Sequence, residues 1–129
     1  DVYLVGVEDR VAKYWKNTKP ISLTDGNYEA GATDVYVLGI DVYISGWERN
    51  SNAKYVAKYW KNGKSINLTD GSTDARAMGI TVFNGNVYCV GFEIDLGGNS
   101  IGKYWRNKTP VRVTDPSLRG AIYSIAIAP

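Results

Sequence analysis

Three glutamates stand in the same local setting: Glu8 in Gly-Val-Glu, Glu48 in Gly-Trp-Glu and Glu93 in Gly-Phe-Glu. Carboxylates lead the chemical candidates because the 129 residues contain no histidine, which removes the commonest general base, a serine–histidine triad and any imidazole metal site. A single cysteine, Cys89, excludes a disulfide framework and a cysteine-rich metal centre. Phosphate-binding loops, HExxH and CxxC patterns are also absent. What remains is carboxylate chemistry of the glycosidase kind, which needs two unlike acids roughly 5–10 Å apart. One carboxylate repeated in three equivalent places argues against that arrangement, so no catalytic residue, metal ligand or cofactor is assigned. The recurrence suits a structural salt bridge, a polar contact repeated in several ligand sites, or a ring of carboxylates around a cation. On the ligand-site reading, the candidate binding residues are Glu8, Glu48, Glu93 and the neighbouring Trp47.

A longer phrase recurs beside those glutamates. AKYWKN spans residues 12–17 and 57–62, and GKYWRN spans 102–107. The pairs Tyr14-Trp15, Tyr59-Trp60 and Tyr104-Trp105 are spaced by 45 residues, as are the Leu-Thr-Asp or Val-Thr-Asp triplets at 23–25, 68–70 and 113–115. DVYLVG at 1–6, DVYISG at 41–46 and NVYCVG at 86–91 also align, the first step being five residues shorter because the loop before Val11 is shorter. Three markers in fixed order define an internal repeat, with units at about 1–40, 41–85 and 86–129 inside a single domain.

Each unit reads as β structure. VYLVG, VYISG and VYCVG are apolar, β-branched and aromatic runs closed by glycine, the pattern of a strand buried on both faces. KYWKN or KYWRN follows as a second strand, ISL, INL or VRV as a third, and Thr-Asp-Gly or Thr-Asp-Pro supplies turn chemistry through Asp25, Asp70 and Asp115. AGATDVYVLG, ARAMGITVFN and GAIYSIAIA form a fourth, starting with small residues, which suits a crowded innermost position. No helical periodicity with caps is present.

A repeat of this length holding four strands matches a β-propeller blade. Over its whole length the chain resembles the β-propeller superfamily, most closely the bacterial extracytoplasmic propellers whose blades carry Tyr-Trp-Lys-Asn-Gly, present in full at Tyr59–Gly63. It lacks the WD40, kelch and sialidase signatures. The resemblance implies an all-β fold with strands in the order B-C-D, A-B-C-D, A-B-C-D, A, and an extracytoplasmic location, secreted, periplasmic or at the cell surface.

Three blades fall short of the four to eight that close a propeller. A bare blade face projects roughly 300 Å², on the order of 7 kcal/mol of unburied apolar surface at about 25 cal/mol/Å². A head-to-tail homodimer with six blades removes both bare faces, with residues 121–128 of one copy pairing with the strand at 2–6 of the other. A fragment of a larger propeller and a designed protein are the competing explanations.

Because neighbours on a strand point to opposite faces, Tyr14, Trp15, Tyr59, Trp60, Tyr104 and Trp105 are expected to fill successive inter-blade layers. Stacking on a ligand is the second reading for the tryptophans. Lys13, Lys16, Lys58, Lys61, Lys103 and Arg106 interleave with them and read as solvated or snorkelling, since a net charge of +2 argues against a nucleic-acid partner. Cys89 aligns with Leu4 and Ile44 and reads as a buried hydrophobe, and Trp47 aligns with Val7 and Phe92 and reads first as packing. No apolar run approaches the length of a membrane span. The expectation is a non-catalytic binding or scaffold module with repeated inter-blade sites for a carbohydrate or protein ligand. A glycan-binding lectin and a carboxylate glycoside hydrolase are the alternatives.

Overall fold

The recurring apolar runs form eleven strands and no helix in the computed structural model, which describes residues 1–129. They assemble into three antiparallel sheets. The first holds β1 (Tyr3–Glu8), β2 (Val11–Lys16) and β3 (Lys19–Ser22). The second holds β4 (Ala30–Leu38), β5 (Asp41–Arg49), β6 (Tyr55–Lys61) and β7 (Lys64–Asn67). The third holds β8 (Ala75–Phe83), β9 (Asn86–Ile94), β10 (Ser100–Arg106) and β11 (Thr109–Arg112). This is blade-like β structure, in which the second and third sheets each take their first strand, β4 or β8, from the end of the preceding repeat.

The last strand of each sheet, β3, β7 or β11, begins two residues before the Ile-Ser-Leu, Ile-Asn-Leu and Val-Arg-Val runs, because the asparagine of the repeated phrase turns the chain. Lys16 pairs with Lys19, Lys61 with Lys64 and Arg106 with Thr109, leaving two-residue hairpin loops. Both loop residues have positive φ: Asn17 49° and Thr18 71°, Asn62 51° and Gly63 82°, Asn107 47° and Lys108 77°. That is the type I′ turn, whose twist matches paired strands and whose first position asparagine tolerates.

The same asparagine ties the hairpin to the neighbouring strand. Asn62 Oδ1 accepts from Val42 N–H at 2.9 Å, its backbone N–H donates to Val42 O at 2.9 Å, and its Nδ2 donates to Asp41 Oδ1 at 2.8 Å. Asn17 makes the same three bonds to Val2 and Asp1, and Asn107 to Val87 and Asn86. At the far end, the threonine of each Thr-Asp accepts from a β2, β6 or β10 amide: Ala12 to Thr24, Ala57 to Thr69 and Gly102 to Thr114, at 2.8–3.1 Å. Asp25, Asp70 and Asp115 then accept from the amides of Asn27, Ser72 and Ser117, closing an Asx turn in each repeat.

Tyrosine and tryptophan of the phrase separate onto opposite faces. Tyr59 joins Tyr43 and Ala57 in a cluster that continues into the third sheet through Ala77, Cys89 and Trp105. Trp60 and Ile44 belong to a second cluster with Ala12, against which Val5 and Tyr14 of the first sheet pack. The small residues that begin β4 and β8, Ala30, Ala75 and Ala77, are fully buried. A register shift at Thr33 bulges β4, and its hydroxyl donates to Ala77 O at 2.8 Å while the Asp34 carboxylate accepts from Ile80 N–H at 3.0 Å, pinning the second sheet to the third.

Two expectations differ from the structure. The strand β1 is not buried on both faces: Leu4 is 55% exposed where its equivalents Ile44 and Cys89 are 1% exposed. Residues 121–129 form no strand. They lie against the third sheet, with Gly120 N–H donating to Ser100 O at 3.0 Å and Ile122 N–H to Gly91 O at 3.2 Å. A strand requires a ladder partner, and the unpaired edge of β1 belongs to the sheet at the other end of the row.

Thr18 is a β-branched residue held at φ 71° where the second repeat has Gly63. Thr18→Gly is therefore expected to raise stability by about 0.5–1 kcal/mol, read as a higher urea midpoint at unchanged m-value, with Gly63→Thr moving it the other way.

Candidate functional site

The recurring glutamates and the lysine of the repeated phrase form one structural unit. Glu8 pairs with Lys13 at 2.7 Å, Glu48 with Lys58 at 2.9 Å and Glu93 with Lys103 at 2.7 Å. Strand register explains the choice of partner, because each lysine sits directly across from a glycine: Gly6 and Lys13, Gly46 and Lys58, Gly91 and Lys103. With no side chain opposite, the ammonium runs over the strand to the carboxylate two residues along. Lys58 is only 7% exposed, so the solvated reading is corrected for this lysine, whose charge is matched inside the sheet stack instead. Lys13 and Lys103 are half-buried, whereas Lys16, Lys61 and Arg106 are exposed as expected.

Above two of these pairs the neighbouring sheet leaves a cleft. Between the second and third sheets it has a volume of about 430 Å³ and is lined by Asp70, Ser72, Thr73, Glu93, Lys103 and Arg112, among others. Between the first and second sheets it is about 350 Å³, and Asp25, Tyr28, Glu48, Lys58 and Asn67 occupy the matching positions. The fixed parts are the Glu–Lys pair and the Asx-turn aspartate. The variable parts are Thr73 for Tyr28 and Arg112 for Asn67, and Thr73 Oγ1 donates to Glu93 Oε2 at 2.6 Å. The rim loops share one device: Asn50 Oδ1 accepts from the amides of Asn52 and Lys54, and Asp95 Oδ1 from those of Gly97 and Asn99. Hydrogen bonds from Asn99, with help from Gly97, hold the Asp95 carboxyl below its ordinary range, and bonds from Ser72 do the same for Asp70. Glu8 and Lys13 have no sheet in front of them, and the Glu8 side chain is 60% exposed against 21% for Glu48 and 22% for Glu93.

Trp47 is partly buried and stands apart from the Glu–Lys clefts, on the other face of β5. Its indole meets Tyr55 edge-on at 5.0 Å, and the Arg76 guanidinium from the third sheet lies over both rings at 4.4 and 4.5 Å. Trp60 and Trp105 are each 1% exposed and fill the layers between sheets. Trp15 and Tyr14 are half-buried, as is Tyr104, while Tyr59 is 8% exposed. Burial pushes the Cys89 thiol far above its ordinary pKa, and the Asp34 carboxylate adds to the effect.

Sequence reasoning allowed a salt bridge at the glutamates without naming the lysines as partners, and it missed Arg76 and the clip made by Asn17, Asn62 and Asn107. The constant Gly-x-Glu and Ala-Lys-Tyr or Gly-Lys-Tyr spacing would have revealed the ion pair once the strands were paired in register. Nothing in the repeat pattern marks Arg76, since its equivalents are Gly31 and Ala121. No family model matches the chain, and no curated protein matches it.

Two outcomes follow. Glu48→Gln leaves the Lys58 ammonium buried without its counter-charge and is expected to cost about 2 kcal/mol, whereas Glu8→Gln on the open sheet costs under about 0.5 kcal/mol, both by urea denaturation. Cys89 is expected to resist iodoacetamide at pH 8 in the folded protein and to react within minutes once unfolded in guanidinium, as followed by mass spectrometry.

Proposed function

We propose that the chain is a self-assembling β-propeller unit, half of a six-bladed homodimeric ring, and works as a non-catalytic binding module with equivalent clefts between its blades. The observation that carries the binding part is the repetition of one cleft architecture, a Glu–Lys pair under an Asx-turn loop, with side chains varied only at the rim. A hydroxyl-rich ligand suits this lining of carboxylates, ammonium, Ser72 and Thr73, which makes a glycan the first ligand class to test and the lectin reading the sharpest form of the proposal. Repetition around a ring would make binding multivalent. A hydrolase is disfavoured, because Glu48 and Glu93 lie in separate clefts and each is committed to a lysine. An extracytoplasmic site of action follows from the resemblance alone.

Ring closure is supported by two unmatched faces. Leu4 and the half-buried Trp15 face outward from the first sheet, and Val111, Val113 and Tyr123 are 38%, 53% and 69% exposed at the third. Residues 121–128 align with β4 and β8 and rest where a following blade's inner strand would begin. A second copy offering β1 as the ladder partner covers both faces at once.

Light scattering is expected to give twice the 14.2 kDa chain mass, falling to a monomer or to aggregate when residues 119–129 are removed. A stable monomer of the full chain overturns the ring and favours the reading as part of a larger propeller. A glycan array that stays silent with the assembled protein overturns the lectin form and leaves protein binding.

A further inference from the structure

The repeat allows each inter-sheet space to be compared with its twin, and one place breaks the pattern. Between the second and third sheets, Arg76 fills the space over Trp47 and Tyr55. Between the first and second sheets the equivalent of Arg76 is Gly31, and those of Trp47 and Tyr55 are Val7 and Arg10. The large cation is missing and the ring facing it has shrunk to valine. A cleft of about 490 Å³ remains, lined by Val7, Arg10, Glu29, Ala30, Trp47 and Arg49.

We propose that this cleft binds a small carboxylate-bearing ligand, an acidic sugar of the hexuronate type, held between Arg10 of the first sheet and Arg49 of the second. Both arginines are exposed, and neither joins a salt bridge, since all four salt bridges of the chain use lysine. Arg10 Nη2 makes one long bond, 3.4 Å, to Asn27 O, and the Arg49 guanidinium lies 5.9 Å from the Tyr55 ring centroid with no acceptor. Two planar guanidinium forks with free donors in the lining of one cleft are suited to bidentate capture of a carboxylate. Val7 and Trp47 give the apolar surface that the C–H face of a sugar ring requires, and the volume admits one or two rings. Glu29, the one carboxylate of the lining, already accepts from Tyr55 O–H at 3.3 Å and keeps a second oxygen for a ligand hydroxyl.

The repeat itself does not demand these arginines. The equivalents of Arg10 are Tyr55 and Ser100, and those of Arg49 are Asp9 and Ile94. Residues built once into a frame otherwise stamped three times answer to something other than the frame. Arg76 is a positioning residue here, bracing Trp47 from behind through its stacking contact. The cleft lies between the same two sheets as the Glu48–Lys58 cleft and shares Arg49 with it, but the ion pair is not part of its lining; it is complete within one chain, so it stands whether or not the ring closes.

The test is a titration of the full chain at low ionic strength with sodium glucuronate, with glucose and inorganic phosphate as parallel probes, followed by Trp fluorescence and by the side-chain signals of Arg10 and Arg49 in NMR. Glucuronate is expected to saturate and shift both arginines, glucose to leave the signals of both arginines unmoved, and phosphate to bind at least tenfold more weakly. Arg10→Gln and Arg49→Gln are expected to weaken glucuronate at least tenfold each, at unchanged thermal midpoint, while Glu93→Gln in the other cleft leaves it unchanged. Failure of glucuronate to saturate, equal binding of glucose, phosphate binding as tight as glucuronate, or full binding by either arginine variant overturns the proposal.

Discussion

A strand that carries tyrosine and tryptophan side by side needs apolar cover on both faces, and the rest of this structure follows from that need. Period-two alternation sends Tyr59 into one inter-sheet layer and Trp60 into the next, so the second sheet is covered on both faces by its neighbours. Stacking sheets in a row is the direct solution, and it leaves the two ends of the row unsatisfied. The exposed Leu4 and the buried Ile44 are the same residue position under these two circumstances. At about 25 cal/mol/Å² the difference between them is worth on the order of 2 kcal/mol for a single side chain.

Layered packing also restricts where polar chemistry can sit. Inside the stack a charge survives only when matched, which is how Lys58 becomes nearly buried beside Glu48. At the edges, loops are free to vary, and there Thr73 replaces Tyr28 and Arg112 replaces Asn67 around an unchanged pair. The frame and the variable chemistry are therefore segregated by depth, the arrangement expected when one scaffold must present different contacts from equivalent positions.

Much of the fold was legible because it is written three times. The strands up to Arg112, their order and the assignment of Tyr and Trp to opposite layers follow from the repeat and from alternation, whereas the last expected strand, over GAIYSIAIA, is not formed because it has no ladder partner. The sites were less legible, for a geometric reason: Glu48 and Lys58 are ten residues apart and meet only through a hairpin register that pairs Gly46 with Lys58, and sequence patterning does not supply register. Lysine consequently read as solvated. The asparagine clip escaped notice for a related reason, since Asn62 reads as the last residue of the KYWKN strand while its side chain works on Val42 and Asp41, about twenty residues earlier. Arg76 was hidden by the repeat, which directs attention to what recurs.

Every ladder in the molecule joins strands that are consecutive in the chain, in the orders β1-β2-β3, β4-β5-β6-β7 and β8-β9-β10-β11. For an all-β protein this is a strongly local wiring, because each sheet is complete as soon as its own stretch of about forty residues is available. Folding can then advance by accretion, one sheet forming and offering its aromatic face as the template for the next. A chain of this kind does not have to search for distant partners, and during synthesis its first sheets can be in place before its last residues exist.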